Sequence, residues 1–591
     1  MRWFVGLVVV LLVVFLWPYA IDGFRFGVGP DVPVYLWWTR VGAAEGLSWI
    51  GSRPGAPALA AALAGTLNLN VAAVTAGLAS ALGVAVGATA AALVRAGGGR
   101  AWWLAGFLAG VFAVHLVAGY LANLVLVAPF LAAAACLAGA RRRWGFAAML
   151  LAAGGLAHLP FLLVGIAILL GQAARSWVGG ARDEARDTVL AATAGGLVAG
   201  AGVLATLAGP GPIDAPTSKD AYLRQAGLDR VLVDAYRERF RLRAARYVQW
   251  IAVPLAIPGV WFEAEGFLRR FLASWLVVTA VAVPLGWITG WFPPDRFVTF
   301  GFAVPIAAAL GLSWLRSRLG WRRALGWLAV AALAGWMVTG GLLAWLRQEP
   351  FASIHEARSL ERASETLDIA PGTPIVFPVD DGDVTSTFLA ARVANLARAA
   401  LPPDRAADVY VFVGTVSDLF EGRATTRGDP EFDALSRTTI DSIPDRGRAE
   451  IVVVPAFYRP ADAANDRRLF PYGGGIFASV DRCCTPGEIL EPLEFGPSSG
   501  VAISFASTGI LVALGILGLG YARSAFDDVV LVIATAPAFG AAGLTIAAVL
   551  LDRLGLRLQD LGVAIGAAVL TGLGGLAVFL VQRQRDRQAA A

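Results

Sequence analysis

The sequence predicts a polytopic α-helical membrane protein of about 12–13 crossings, with an extracytoplasmic α/β domain inserted before the last three helices. Three observations predict it. Of 591 residues, 57% are hydrophobic and 15% are charged, against about 25% charged in a soluble protein, and the mean hydropathy is +0.66. The apolar residues fall in runs of about 20, the length that crosses a bilayer. The charge between those runs is segregated. Residues 351–500 hold 23 Asp/Glu against 14 Arg, which leaves 34 basic and 20 acidic groups elsewhere. This composition excludes a water-soluble enzyme and a disordered chain, and 3 cysteines cannot make a disulfide framework. The sequence pI near 9.3 does not point to nucleic acid, because the arginines sit in short loops between apolar runs, as the positive-inside rule describes.

In chain order the expected spans are 4–20, 71–94, 102–118, 120–139, 145–171 and 188–208, then 271–290, 297–314 and 324–346, and finally 503–521, 529–551 and 561–582. No small-x-small cleavage site follows the first run, so it reads as an uncleaved anchor. Arg141, Arg142 and Arg143 mark one cytoplasmic loop; Arg316, Arg318, Arg322 and Arg323 mark another; Arg583, Arg585 and Arg587 place the C-terminus inside. The division is a membrane core over 1–347 with its first external loop at 21–56, an external domain over 348–500, and three C-terminal helices with a short cytoplasmic tail over 501–591. Both termini are expected in the cytoplasm of a plasma-membrane protein.

Two stretches fit no span. Residues 251–262 are apolar but short and carry Pro254 and Pro258, which suits a re-entrant or interfacial segment. Residues 217–246 have a helical pattern and many arginines, and the arginine rule puts them in the cytoplasm; an extra crossing would reverse that. In the external domain, Ile375–Val379, 409–414 and 451–456 read as strands, 386–400 as a helix between the first two, and 418–448 as charged loop. A strand–helix–strand unit of this size argues a small α/β sheet.

The first external loop holds Asp31 two residues before Pro33, then a helix with Trp37, Trp38 and Trp49 and the charges Arg40 and Glu45. One reading is a capped helix lying in the interface, where Trp is favoured. The other makes Asp31 a general base, with Arg40 or Arg53 holding an anionic lipid headgroup. Arg296 offers a planar fork to a phosphate, or pairs with Asp295 at a helix end, or snorkels to headgroups. His115 and His158 read as packed, hydrogen-bonded side chains, and no ligand spacing suggests a metal. Asn68, Asn70 and Asn123 read as interhelical hydrogen bonds. Asp380-Asp381-Gly382-Asp383 follows a strand and matches no calcium loop. Cys483 and Cys484 are adjacent, and Gly473-Gly474-Gly475 is a turn rather than a phosphate loop.

Several of these segments together resemble the GT-C superfamily of membrane glycosyltransferases. They are the external loop with Asp31, Gly119-Tyr120-Leu121-Ala122-Asn123-Leu124 opening a span, Ala157-His158-Leu159-Pro160-Phe161 in mid-core, and Phe292-Pro293-Pro294-Asp295-Arg296-Phe297 followed by Pro305. The acidic domain after the core agrees, and the resemblance covers roughly residues 1–500. It implies an enzyme that takes a sugar from a polyprenyl-phosphate carrier in the membrane and transfers it to an external glycan, lipid or protein. Asp31 would be the base; Arg296, with Asp295 beside it, would meet the carrier phosphate, joined by Arg40 or Arg53; no cofactor is implied. One departure stands out: many such enzymes carry a second acidic residue in the next external loop, whereas Val117-Ala118-Gly119-Tyr120 contains none. The alternative is a non-catalytic scaffold or sensor for envelope assembly with the same fold. A transporter ranks behind both, since neither paired buried charges nor an inverted repeat is apparent.

Overall fold

The structure is a computed structural model that describes residues 1–24, 27–29, 31–50, 53–139, 143–208, 219–248, 250–289, 296, 300–318, 323–348, 372–379, 394–395, 398–399, 408–444, 451–453, 469–473, 476–479 and 500–590. Among them, ten helices are long and apolar enough to cross a membrane, as a multi-pass membrane protein requires. The expectations for Asp295, Asp380–Asp383, Cys483 and Cys484 fall outside the described residues, as does most of the 386–400 helix.

Small residues set the packing. Val71–Ala96 is buried on nearly every side because Gly77, Gly83 and Gly87 let the 500–525, 2–20 and 102–112 helices approach closely. The Asn70 side chain accepts from the Ala72 amide at 2.8 Å, and Asn68 ends the preceding helix in the left-handed region at φ 50°. Both asparagines therefore cap helices, where interhelical bonds were expected. The helix Asn68 terminates, Gly55–Leu67, is a buried 13-residue element that the span pattern missed. The 102–118 run breaks at Ala113 into two pieces.

The expected span 145–171 is not one helix. Trp144–Val178 turns sharply at His158, whose backbone lies at φ −155°, ψ 79°. The packing of Arg182–Leu207 identifies the turn as a reversal. Gly195 lies on Ala148 and Leu151, Gly155 on Ala199, and Gly202 on Leu156, so residues 144–157 run parallel to that helix. Gln172 and Ser176 instead meet Glu184, so 159–178 runs antiparallel to it. Pro160 is tolerated because it falls in the first turn of the second arm, and the Phe161 amide donates to His158 Nδ1 at 3.4 Å. The first arm rises only about 21 Å, short of the hydrocarbon thickness of about 30 Å, so the reversal is sunk below the bundle surface.

That reversal moves everything up to Glu263. Arg182–Leu207 ends beside Arg553, which donates to Thr206 Oγ1 at 2.5 Å, while the neighbouring Asp552 accepts from the Leu47 amide in the first loop. The segment 219–248 therefore begins on the face that carries Asp31, not the face of Arg143. The chain then passes to the other face between Arg243, which donates to Tyr120, and Glu263, which accepts from Ser313 at 3.1 Å. Gly259 on Ala307 and Gly311 on Leu255 allow backbone-to-backbone contact along this passage, since a Cβ at either would lie 1.9 Å from a carbonyl oxygen. The apolar stretch with two prolines is thus the second half of a traverse of the bundle, which has π-helical turns at both ends, Ala244–Val248 and Gly259–Glu263. The reversal within 144–178 and the later passage ending at Glu263 offset one another along the chain.

The sheet beyond the core has five described strands in the order β2-β1-β3-β5-β4: β1 Ile375–Val379, β2 Val409–Val413, β3 Ile451–Val453, β4 Leu469–Gly473 and β5 Ile476–Ser479. β1 is parallel to β2 and β3; β5 is antiparallel to β3 and β4. The 418–448 stretch is not all loop. Pro430–Asp441 is a helix, N-capped by Asp429 Oδ1 accepting from Glu431, with Phe432, Leu435, Ser436, Thr439 and Ile440 buried at helical spacing. Its charges face outward, which is why composition alone hid it.

Candidate functional site

The site starts at a close backbone contact. Gly29, at φ +115°, lies so near Ala118 that a Cβ would sit 1.8 Å from its carbonyl oxygen. This holds the first loop against the turn that opens Leu121–Ala138. Two residues on, Asp31 stands at the N-cap of Val32–Ala44 but makes no side-chain cap hydrogen bond. The helix start is served by Pro33, which needs no amide partner. Asp31 is half-buried, one helical turn from Tyr35, which is 3% exposed. The Tyr35 hydroxyl bonds to the Arg53 guanidinium and to the backbone of Ala122. Burial pushes that hydroxyl above its ordinary value, with Arg53 opposing the rise and the Asp31 charge adding to it.

Arg53 and Arg296 both act electrostatically on His158 at the floor of the reversal. The His158 ring lies 4.6 Å from Phe161, which stacks on Phe300 at 5.6 Å. Above it, Tyr120 is contacted by two guanidiniums, with Arg243 Cζ 5.1 Å and Arg296 Cζ 5.2 Å from its ring centroid. Arg243 also donates to the Tyr120 hydroxyl. Arg243 ends Asp229–Arg243, an amphipathic helix anchored by Arg237 donating to the Trp287 carbonyl at 2.9 Å. Through these contacts, Asp31, Tyr35, Arg53, Tyr120, His158, Arg243 and Arg296 form one cluster of three guanidiniums, one carboxylate and aromatic side chains. Such a cluster favours a bound anion, because guanidinium–phosphate bonds are strong in a low-dielectric setting.

Of the residues expected from sequence, Asp31, Arg53 and Arg296 converge, and Asp295 lies outside the described residues. Arg40 goes elsewhere: it donates to the Ala399 carbonyl. It belongs to a seam that seats the sheet domain on the Val32–Ala44 helix. There Trp37 Nε1 donates to Asn395 at 3.1 Å, and Trp37, expected at the lipid interface, is 1% exposed. Arg398 is fully enclosed beside it, donating to the Val409 carbonyl at 2.9 Å and bonding to Tyr222. Burial lowers the Arg398 pKa and raises that of Tyr222, and each partner opposes the other's shift. His115 is packed as expected, with its ring nitrogen Nδ1 on the Phe112 carbonyl. Sequence reasoning missed Tyr35, Tyr120 and Arg243 as site residues. For Tyr120 the available signal was its place in the carboxylate-free turn.

No family model matches this chain, and no curated protein is significantly similar to it.

Proposed function

We propose that this protein is a GT-C-like membrane glycosyltransferase that moves a sugar from a polyprenyl-phosphate carrier to an extracytoplasmic glycan, lipid or protein. The observation that carries the reading is the convergence of Asp31 with Arg53, Arg243 and Arg296 around Tyr120 and His158. In this mechanism the arginines hold the carrier phosphate at the end of its lipid chain. Asp31 takes the proton of an acceptor hydroxyl, whose oxygen attacks the anomeric carbon. The bond from that carbon to the phosphate oxygen breaks, and the carrier phosphate leaves with the electron pair, its new charge met by the guanidiniums. The site face is then extracytoplasmic, with the sheet domain outside and both termini in the cytoplasm.

The absence of a carboxylate from the 117–120 turn favours a second reading, a non-catalytic scaffold or sensor that binds the same lipid phosphate without turnover. Asp31→Asn separates them. In vesicles supplied with a polyprenyl-phosphate sugar, the substitution should slow sugar loss by about 10²–10⁴-fold while protein abundance and carrier binding persist. Carrier binding without turnover in the wild type would establish the scaffold; wild-type turnover untouched by the substitution would reject Asp31 as base.

A further inference from the structure

On the face opposite Asp31, a lateral cavity of about 270 Å³ opens between four helices. Trp3, Trp103 and Trp327 form its aromatic wall, and Arg100, Ser313 and Arg316 supply its polar edge. The three indoles are in series, Trp3 on Trp103 at 5.8 Å and Trp103 on Trp327 at 6.4 Å. Arg316 lies 4.7 Å above the Trp327 ring, which holds its guanidinium at the cavity mouth. Trp3 is 71% and Trp327 47% exposed, and the helices that carry them continue with exposed Val5, Val9, Leu328 and Trp336. The opening therefore faces the hydrocarbon side of the bundle, at the level of the helix ends. Nothing in the proposed sugar transfer uses it.

We infer that this cavity is a binding site for the headgroup of an anionic phospholipid from the leaflet opposite the Asp31 face. Two arginines match the charge of a phosphodiester, the Ser313 hydroxyl being already given to Glu263, and the tryptophans match the glycerol and first acyl carbons, where indoles favour the interface. A soluble phosphate would make no use of the aromatic wall or the lateral opening, so the lipid is the occupant.

The experiment is a thermal-unfolding titration of the full chain in neutral detergent with phosphatidylglycerol, phosphatidylcholine or inorganic phosphate. Phosphatidylglycerol should raise the Tm saturably, and the other two should not. Removing the charges in an Arg100→Gln/Arg316→Gln variant should weaken the apparent affinity roughly fivefold for each arginine and about thirtyfold together. An equal response to phosphatidylcholine, a shift by phosphate alone, or an unchanged double variant would each overturn the inference. Should the variant not accumulate, native mass spectrometry of the wild type decides. Retained phosphatidylglycerol that cardiolipin displaces and phosphatidylcholine does not supports the site, and retention indifferent to headgroup overturns it.

Discussion

The two faces of the helical bundle use arginine in opposite ways. On the Asp31 face, Arg243 and Arg296 are gathered onto Tyr120 and Arg53 onto Tyr35, so positive charge is concentrated around two tyrosines. On the other face the arginines neutralise or line. Arg95 pairs with Asp528 at 2.7 Å, Arg316 lies against Trp327, and Arg270 is locked to the buried Glu184 at 2.7 Å. Arginine number alone does not separate these roles. The positive-inside rule concerns short loops next to spans, and Asp229–Arg243 is a folded amphipathic helix whose arginines answer to aromatic rings and carbonyls.

The sharpest way to break this comparison is to label the faces. In a background with Cys483 and Cys484 replaced by serine, an impermeant maleimide should reach Leu242→Cys and Arg437→Cys from one side of sealed vesicles and Arg318→Cys only from the other. The expected outcome is all-or-none, and shared labelling of Leu242→Cys and Arg318→Cys would return the arginine helix to the opposite face. Next in size is the buried pair. Glu184 takes hydrogen bonds from Arg270, Gln172 and Ser176 and is 5% exposed, so Glu184→Ala leaves Arg270 without its counter-charge. A loss of about 3–5 kcal/mol is expected by thermal or denaturant unfolding in detergent; a loss below about 1 kcal/mol would make it an ordinary surface pair.

The smallest effect is at the Asp528 turn. Burial pushes the Asp528 carboxyl up, but hydrogen bonds from Arg95 and the Val530 amide outweigh it and hold the group below its ordinary value. A folded-state pKa below the unfolded one contributes stability at neutral pH that is lost as pH falls through the carboxylate range. Asp528→Asn should therefore flatten the acid limb of the stability profile slightly and leave the neutral-to-alkaline limb parallel to wild type. An unchanged acid limb would mean that Arg95 and Asp528 are held apart in solution.

Much of the bundle is legible in the sequence for a simple reason. Runs such as Val71–Ala96 and Val529–Arg553 are apolar for longer than the hydrocarbon core of about 30 Å requires. The failures share a cause too. At 145–171, composition is the same on both sides of His158, and only the packing of Gly195, Gly202 and Glu184 reveals the reversal. Pro254 and Pro258 argued against a traverse, yet Ala252–Glu263 completes one because Gly259 and Gly311 bring its backbone against a neighbour. In the candidate site, Asp31, Arg53 and Arg296 stood out as charges at the ends of apolar runs. Arg40 stood out equally and serves the sheet seam instead.

Hydropathy and charge segregation, read from the sequence by itself, determined that the chain is a multi-pass helical membrane protein and which few charges lie at the edges of its core. Those are one-dimensional properties, because the cost of a polar group in hydrocarbon depends on the residue and its run. Tertiary structure alone decided which charges meet. Tyr120, Arg243 and Arg296 lie far apart in the chain and come together only because one helix reverses at His158 and carries the arginine helix to the Asp31 face. Electrostatic contact depends on separation in space, and that separation is set by packing.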